Sequence, residues 1–592
     1  MLEEAELLLQ KYYGYPKFRE GQTKIISSIL QKNDTFAVMP TGAGKSICFQ
    51  IPALLFEGVT LVISPLISLM KDQIDSLNSL GIPATFINSS LTPRVVDERI
   101  HQASLGAFRL LYVAPERLEL ESFVELVKSL DITLLAIDES HCVSQWGHDF
   151  RPSYRQIGPF IKRLPKRPVV AAFTATATPE VQEDIVKLLA LQKAQIFVTG
   201  FDRENLSFSV VRGENKRDFL THYIAANHQH SGIIYAATRK EVDQIYNLLI
   251  KQGYAAGKYH AGLSDGERIR NQEAFLYDDY KIMVATNAFG MGIDKSNVRY
   301  VIHYNLPKNM ESYYQEAGRA GRDGGPSECI LLFAPQDIVI QKFLIEQTVY
   351  SPVRKNNELK KLQTMVDYAH SPRCLRRFIL EYFGEERVPE ECGNCGNCND
   401  QTELSDITLE AQKIFSCIFR MHEQYGVTMV ADVLKGSNAK KILQQRFNTL
   451  PTFGIMKETP LSEIKDRINS LVSEDYLQLT QGKYPVVKLQ PKASPVLKGE
   501  LKVMQKTIQR KAKLEQDDSL FETLRKLRRE IATREGVPPY IIFADSTLSE
   551  MSKYKPTTSK ELLTIKGVGE SKLGKYGSMF IDAIANYSEA SK

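Results

Sequence analysis

TFAVMPTGAGKS, residues 35–46, joins a short apolar run to a glycine-rich turn that ends in lysine and serine. The run is typical of a buried strand. The turn is typical of a P-loop, in the shorter TGxGKS form because Met39 stands where the strict pattern has glycine. Strand, turn and helix in this order predict a nucleotide-binding α/β domain. The residues expected to hold phosphate are Thr41, Gly42, Ala43, Gly44, Lys45 and Ser46.

Within that turn, the glycines let main-chain N–H groups face the phosphates. Lys45 is predicted to reach the β and γ phosphates, and Ser46 to hold Mg²⁺. An alternative is an ordinary glycine-rich strand-to-helix turn. The position of Lys-Ser between a strand and a helix favours the phosphate site.

Two groups of apolar runs extend this pattern along the chain. The first group continues with VTLVIS (59–64), ITLLAID (132–138) and VVAAFTAT (169–176). The second group comprises SGIIYAAT (231–238), KIMVAT (281–286), YVIHYNLP (300–307) and ECILLF (328–333). Helical patterns lie between the runs, which predicts α/β parallel sheets covered by helices. We therefore predict two similar lobes, residues 1–203 and 204–345, joined near GFDRENL (200–206).

An acidic pair closes one of these strands. Asp138 is expected to bind Mg²⁺ together with Ser46, and Glu139 to polarise the attacking water. Exposed Asp-Glu pairs are common, but a pair that ends a buried strand downstream of a P-loop is not. The two motifs together predict hydrolysis of a nucleoside triphosphate.

The segment QEAGRAGRDG (315–324) carries candidates for stabilising charge on the γ-phosphate. Arg319 and Arg322 are three residues apart, which predicts one shared helix face, and Gln315 precedes them. An arginine that reaches across from a second lobe accelerates hydrolysis only when the lobes close. The alternative is a solvated basic helix face.

The chain contains eight cysteines, of which four are scattered and four are clustered. Two CxxC steps that share Cys395 can surround one tetrahedral zinc ion, with Cys374 from an upstream helix as the fourth ligand. The clustered cysteines are Cys374, Cys392, Cys395 and Cys398. Four thiolates leave no open position, so the predicted site is structural; the alternative is a cluster of free thiols.

Composition sets broader limits. A chain of 592 residues exceeds one hydrophobic core and predicts several domains. The net charge of +5 is compatible with nucleic acid but does not by itself indicate it. No apolar run approaches the length of a membrane span. The N-terminus, MLEEAELLLQKYYGY, is acidic and amphipathic rather than a targeting peptide, so we expect a cytoplasmic protein that does not associate with membranes.

The motifs TGAGKS, DESH (138–141), FTATAT (173–178), ATNAFGMGIDK (285–295) and QEAGRAGRDG together resemble superfamily 2 helicases. DESH alone also occurs in RNA helicases. HCVSQWGHDFRPSY (141–154) resembles the aromatic-rich loop that distinguishes the RecQ family of DNA helicases, and KYYGYPKFREGQ (11–22) resembles its adenine-reading segment. This resemblance implies a bacterial RecQ-type helicase with two RecA-like lobes, ATP and Mg²⁺ as cofactors, and Zn²⁺ in its cysteine cluster.

The resemblance assigns roles to individual residues. It implies that Tyr15 stacks on adenine while Arg19 and Gln22 hydrogen-bond it. The loop is expected to sense single-stranded DNA through His141, Trp146, His148, Phe150 and Arg151. Aromatic rings suit bases and arginine suits phosphate. The alternative for Trp146, the only tryptophan, is a place in the core.

The C-terminal third resembles the remaining RecQ modules. We predict a zinc-binding subdomain (346–405), a winged helix (406–490) with a wing around QGK (481–483), a linker (491–515) and an HRDC domain (516–592). In the winged helix, KGSNAKKILQQRF (435–447) is expected to face duplex phosphate. The HRDC candidates for DNA contact are Tyr540, Lys566, Lys572 and Lys575, whose alternative is an ordinary solvated face.

Three functions remain in competition at this point. The RecQ resemblance implies a monomeric motor that moves 3′ to 5′ on single-stranded DNA and unwinds duplexes, forks and junctions in recombination and repair, near the nucleoid and with single-strand-binding protein as a partner. An RNA helicase would explain neither the zinc cluster nor the C-terminal modules. A scaffold without ATPase activity would be expected to lack Lys45, Asp138, Glu139 or Arg322, and all four are present.

Overall fold

The computed structural model describes the chain except for residues 66, 89–90, 148, 213–214, 290–294, 350, 400–403, 438, 475, 481–484, 507–518 and 591–592. Two parallel sheets form its centre. The first has seven strands, in the order Ala84–Ile87, Leu110–Val113, Val59–Ile63, Ile132–Ile137, Val169–Thr174, Thr35–Val38 and Gln195–Val198. The second has six strands, in the order Ala256–Tyr259, Ile282–Ala285, Ser231–Tyr235, Val298–His303, Ser327–Phe333 and Leu206–Arg212.

Helices cover both sheets, so most strands are buried and continuously apolar, as parallel strands are. In lobe 1 the main helices are Gln22–Leu30, Lys45–Leu55, Ile67–Ser79, Pro93–Ser104, Glu121–Val127, Ile157–Arg163 and Pro179–Leu188. In lobe 2 they are Lys216–Asn227, Arg239–Lys251, Asp265–Leu276, Met310–Ala317 and Pro335–Thr348. The predicted α/β class with two parallel-sheet lobes is confirmed.

All eight strands predicted for the two parallel sheets are present, and the described residues of these sheets contain five further strands that were not predicted. Four of these five have only four residues, too few for a clear apolar pattern. Gln195–Val198 also lies at the sheet edge with largely exposed side chains. The carboxyl ends of parallel strands share one edge of the sheet, which is where ligands bind in such folds. The P-loop and the DESH motif both lie at that edge, two strands apart.

Beyond lobe 2, the helix Pro352–His370, here called the bridging helix, leads to Leu375–Tyr382 and the short helix Gly396–Asn399. The winged-helix region follows, with Thr408–Arg420, Val427–Lys435, Lys440–Gln444 and Leu461–Ser473 around one apolar core. Its strands Leu477–Leu479 and Val487–Leu489 pair antiparallel, as predicted for the wing, whose tip at 481–483 lies outside the described residues.

The prediction of a linker from residue 491 is wrong over 493–506. Ala493–Leu497 is a helix whose Ala493 and Val496 are buried in the winged-helix core, and Val503 is buried there as well. Met504–Lys506 pairs with Leu404–Asp406. Because this stretch is rich in lysine, its sequence did not indicate that three of its apolar residues are buried. The remainder, residues 507–518, lies outside the described part of the chain.

The last region is a helical bundle of Ser519–Glu535, Pro539–Ile542, Asp545–Tyr554, Ser559–Leu562 and Glu570–Ala590 around its own core. It lies against both lobes. The hydroxyl of Tyr277 in lobe 2 donates to the Gly536 carbonyl at 2.8 Å, and Gly569 abuts Gly14 of lobe 1. Within the described residues, no helix combines the length and apolar character that crossing a bilayer would require.

Candidate ATP site, zinc centre and nucleic-acid interface

The glycine-rich turn adopts the backbone conformation that its sequence requires. Gly42 and Gly44 have φ angles of 84° and 82°, a region that side chains disfavour. A Cβ atom on Gly44 would lie 2.5 Å from Nε2 of Gln22. The helix Lys45–Leu55 begins directly after Gly44, so its N-terminus points into the cleft between the lobes. This is the arrangement that binds phosphate.

The residues predicted to read adenine hold this turn. Gln22 donates from Nε2 to the carbonyls of Ala43 (3.0 Å) and Gly44 (3.2 Å), and Arg19 donates from Nη1 to the Gly42 carbonyl (2.6 Å). Tyr15 is partly buried against the lobe 1 core. Adenine binding by these residues stays a prediction, but their polar groups are already coupled to the P-loop main chain.

The acidic pair faces the P-loop lysine. Shielding from water and the neighbouring Glu139 charge raise the pKa of Asp138. Shielding also opposes ionisation of Glu139, but His141, Lys45 and Arg319 outweigh it and lower the pKa of that carboxyl. Two carboxyls beside a single lysine favour a bound divalent cation, which would let both ionise. Mg²⁺ binding by Asp138 together with Ser46 stays a prediction.

The backbone of Glu139 is strained. Its φ of 47° is left-handed, which is rare for a residue that carries a Cβ. Glu139 lies two residues after the strand Ile132–Ile137, and its carboxylate lies 3.3 Å from Nδ1 of His141. Strain of this kind is typical of residues that the surrounding structure holds in place for chemistry.

His141 does not lie on a surface that DNA could reach. Its side chain is fully buried, and Nδ1 lies 2.9 Å from Oγ1 of Thr174 in the FTATAT motif. The prediction of direct DNA contact by His141 is therefore wrong. Its contacts with Glu139 and Thr174 instead join two sheet strands at the catalytic edge, which keeps the predicted relay role open.

Arg319 and Arg322 face the cleft, although not from a helix. The helix Met310–Ala317 ends at Gly318, so the prediction of one shared helix face is wrong. Gly321, at φ 56°, turns the chain away from the helical path. The positive charge of Arg319 adds to those of His141 and Lys45 in lowering the pKa of Glu139. Burial lowers the pKa of Lys45, and the charge of Arg322 lowers it further. Gln315 lies in the last turn of the helix.

Sequence reasoning missed Arg203, which lies in the segment between the lobes. Its guanidinium donates to the Thr41 carbonyl in lobe 1 and to the carbonyls of Ala320 (3.0 Å) and Gly321 (2.7 Å) in lobe 2. Desolvation lowers the pKa of Arg203. One side chain thus holds the P-loop against the segment 319–322. Its place in GFDRENL, between two predicted lobes, was the only available signal.

The part of the aromatic-rich loop that follows the DESH motif packs directly on that motif. A Cβ atom on Gly147 would lie 2.4 Å from the His141 carbonyl oxygen, so only glycine permits this approach. The Arg151 N–H donates to the Cys142 carbonyl at 2.9 Å. The loop main chain therefore contacts His141 and Cys142, two and three residues after Glu139.

The rings of Trp146 and Phe150 are both partly exposed, whereas Arg151 is bound to neighbouring protein groups. Trp146 is partly buried against the core, so its exposure is intermediate between that of an exposed loop residue and that of a core residue. Phe150 lies between 5 and 6 Å from two cations, Arg155 (5.2 Å) and Arg354 (5.5 Å). Arg151 is bound to Asp149 and to the Pro65 carbonyl. His148 lies outside the described residues.

The four clustered cysteines converge as predicted. Their sulfur atoms all lie within 4.8 Å of one another. The Cys395–Cys374 and Cys392–Cys398 sulfur distances are both 4.0 Å, close to the separation of about 3.8 Å that tetrahedral zinc with bonds of about 2.3 Å requires. Cys374 caps the helix Leu375–Tyr382 rather than projecting from an upstream helix. Donor number, spacing and burial fit structural zinc.

Comparisons with known proteins agree with this geometry along the whole chain. Family profiles match for DEAD/DEAH box helicase (19–185), helicase conserved C-terminal domain (215–324), RecQ zinc-binding (335–399), RQC domain (401–514) and HRDC domain (517–584). The chain is 52% identical to ATP-dependent DNA helicase RecQ of Bacillus subtilis, over 99% of each chain. It is 40% identical to the protein of the same name in Haemophilus influenzae, over 98% of this chain and 95% of the relative.

The chain belongs to the RecQ family of ATP-dependent DNA helicases. The RecQ zinc-binding profile and the four converging thiols together confirm the zinc assignment. The RecQ zinc region is joined to lobe 2, since Cys395 forms an isolated parallel bridge with Phe208. Arg376 of the same region donates to the Arg203 carbonyl at 2.7 Å. The zinc centre thus supports the segment that carries Arg203.

The RecQ winged helix presents a basic edge. Lys440, Lys441 and Arg446 are exposed on the predicted stretch 435–447. Lys435 is occupied, because its Nζ donates to the Thr459 carbonyl at 3.1 Å. DNA contact by the exposed residues of this edge stays a prediction.

In the HRDC domain, the four candidates for DNA contact differ in their surroundings. Lys566 is exposed. Lys575 donates to the Ser79 carbonyl of lobe 1 at 3.1 Å, and Tyr540 packs against the core shared by the lobes. Lys572 lies 5.8 Å from the centre of the Phe543 ring, and desolvation lowers its pKa to about 8. In this arrangement three of the four contact protein, and their contact with DNA stays a prediction.

Replacing Arg203 with lysine is expected to lower kcat for ATP hydrolysis about tenfold, with a smaller change in KM for ATP. Lysine keeps the charge but lacks the planar fork that reaches carbonyls on both lobes. Steady-state hydrolysis over a range of ATP concentrations measures the effect. Arg239→Lys, the same change at an exposed site, is the control. An unchanged kcat would show that Arg203 does not set the cleft geometry.

Proposed function

We propose that this RecQ helicase hydrolyses ATP with Mg²⁺ in the cleft between the lobes and uses it to move 3′ to 5′ on single-stranded DNA. Duplex DNA, including forks and junctions, would be unwound as the motor advances, in recombination and repair. Polarity and setting are taken from the family resemblance. A monomeric active form and single-strand-binding protein as a partner belong to the same proposal.

The aromatic-rich loop is proposed to couple DNA to hydrolysis. The observation that carries this is the close approach of Gly147 to the His141 carbonyl, two residues from Glu139. Bases that stack on Trp146 or Phe150 would move the loop main chain. That movement would reach Glu139 through His141 without any separate signalling element.

Steady-state ATP hydrolysis without nucleic acid, with single-stranded DNA and with RNA of matching sequence tests the proposal. Strong stimulation by DNA alone supports it. Equal or greater stimulation by RNA would reject DNA as the substrate while leaving the motor intact. Duplexes with a 3′ or a 5′ single-stranded tail then test polarity, since a 3′ to 5′ motor unwinds only the former.

The variant Trp146→Ala is expected to keep basal hydrolysis within about twofold and to lose most of the DNA stimulation, because stacking on an aromatic contributes about 1–3 kcal/mol per base. Hydrolysis is measured against DNA concentration, with the thermal unfolding midpoint as the control for folding. Phe419→Ala, at an exposed aromatic in the winged helix, is the matched variant. Loss of folding in Trp146→Ala would instead assign the tryptophan to the core.

A further inference from the structure

The bridging helix Pro352–His370 contacts the aromatic-rich loop at two places. The guanidinium of Arg354 lies 5.5 Å from the centre of the Phe150 ring. Two helical turns later, Nζ of Lys361 donates to the main-chain carbonyl of Trp146 at 2.8 Å. A spacing of seven residues places both side chains on one face of the helix. One face of the bridging helix is therefore fitted to the loop.

Lys361 also binds lobe 2. Its Nζ lies 2.8 Å from Oε1 of Glu311, and the side chains of Lys361 and Glu311 are only 12% and 4% exposed. Glu311 lies in the first turn of the helix Met310–Ala317. That helix ends at Gly318, directly before Arg319. A single ammonium group thus joins the aromatic-rich loop to the helix that positions the cleft arginines.

Because Lys361 and Glu311 are both buried, the ion pair between them is costly to break. A carboxylate that is almost fully buried cannot release its cation without a large cost in desolvation. If the Trp146 carbonyl moves, Lys361 must either lose that hydrogen bond or carry Glu311 and its helix along. If the position of the loop differs between the DNA-free and DNA-bound protein, the position of the segment 319–322 would therefore differ as well. This segment lies on the opposite side of the cleft from Glu139.

We propose that Lys361 is a positioning residue that makes DNA-stimulated ATP hydrolysis depend on lobe 2 as well as on the DESH motif. The aromatic-rich loop would act on both sides of the cleft: on Glu139 through His141, and on Arg319 through Lys361 and Glu311. This inference rests on the proposed coupling of DNA to hydrolysis. The ammonium group of Lys361 contacts Trp146 and Glu311, outside the P-loop and the acidic pair.

The variant Lys361→Met is expected to keep basal hydrolysis within about twofold and to lower kcat at saturating single-stranded DNA about tenfold, within the usual range of coupling between sites. Affinity for a fluorescent single-stranded oligonucleotide, measured by anisotropy, should stay within about twofold. Lys360→Met, the same change at the exposed neighbouring position, is the control and should behave as the parent protein.

The double variant Glu311→Gln, Lys361→Met is the control for a folding defect in the single variant. It removes both buried charges together, so no unpaired carboxylate remains. The proposal expects stimulation to stay low in the double variant even where its thermal unfolding midpoint returns to that of the parent. Restored stimulation in the double variant would overturn it, because the single variant would then suffer only from an unpaired carboxylate.

Further outcomes separate this inference from the proposed function. No stimulation of the parent protein by DNA would reject the coupling as a whole. Stimulation of both the parent and Lys361→Met, to the same level, would overturn the role of Lys361 alone. A weakened DNA affinity with full stimulation at saturation would also overturn it, because Lys361 would then be a DNA contact.

Discussion

Replacing Glu139 with glutamine is expected to lower the rate of ATP hydrolysis about a thousandfold while ATP still binds. The carboxylate is held ionised by His141, Lys45 and Arg319, and its left-handed backbone fixes its direction. Glutamine has the same size but cannot accept a proton from, or polarise, the attacking water. The phosphate-binding groups, which are the P-loop N–H groups and Lys45, are unchanged.

Single-turnover hydrolysis and the binding of a fluorescent ATP analogue measure the two halves of this prediction separately. Glu180→Gln, the same substitution at an exposed position of lobe 1, is the control and should change neither. A rate within tenfold of the parent would remove Glu139 from the reaction. An equal loss of binding and hydrolysis would assign Glu139 to the architecture of the site instead.

The parts of this site that could be predicted from sequence are those whose residues are close together along the chain. The P-loop, the acidic pair and the three-cysteine run 392–398 each lie within ten residues. The structure places the P-loop between a strand and a helix, places the acidic pair directly after a strand, and brings the cysteine sulfur atoms together, all as predicted. Such motifs can be recognised from the spacing of their residues, because a turn of fixed geometry sets the distances between their atoms.

Contacts across long stretches of chain could not be predicted in this way. Arg203 and Thr41 are 162 positions apart, and Lys361 and Trp146 are 215 apart. Each pairs a side chain with a main-chain carbonyl, which any residue type provides, so the partner leaves no sequence signal. An arginine between two lobes is recognisable as a candidate, but its acceptors follow only from the packing of lobe 2 on lobe 1.

The two wrong predictions for the ATP site, which concern His141 and the pair Arg319 and Arg322, have the same origin. His141 was assigned to DNA because of its neighbours in sequence, whereas its side chain turns inward to Thr174, 33 positions away. The helical spacing of Arg319 and Arg322 was sound, but Gly318 ends the helix one residue earlier. Arg203 then takes up the carbonyls that a continuing helix would have used. Tertiary hydrogen bonds overrode the local pattern in both cases.

Replacing Cys395 with serine is expected to remove zinc and to destabilise the zinc region, with loss of DNA unwinding. Cys395 is fully buried and its main chain pairs with Phe208 of lobe 2, so the metal centre anchors the region to the motor. Structural zinc contributes about 10–16 kcal/mol in small peptide domains, and three thiolates cannot complete the tetrahedron. Zinc content, measured by a colorimetric chelator after denaturation, should fall from one per chain to near zero.

The matched control for this change is Cys417→Ser in the winged helix. Cys417 is fully buried like Cys395, but its thiol lies outside the metal cluster, so each substitution removes one sulfur atom at similar burial. Both variants replace a buried sulfur atom with a hydroxyl group. Only Cys395→Ser should also lose zinc, and its thermal unfolding midpoint should fall further than that of Cys417→Ser. A soluble Cys395→Ser protein that unwinds DNA without zinc would contradict a structural role, because the connection between the zinc region and lobe 2 would then form without the metal.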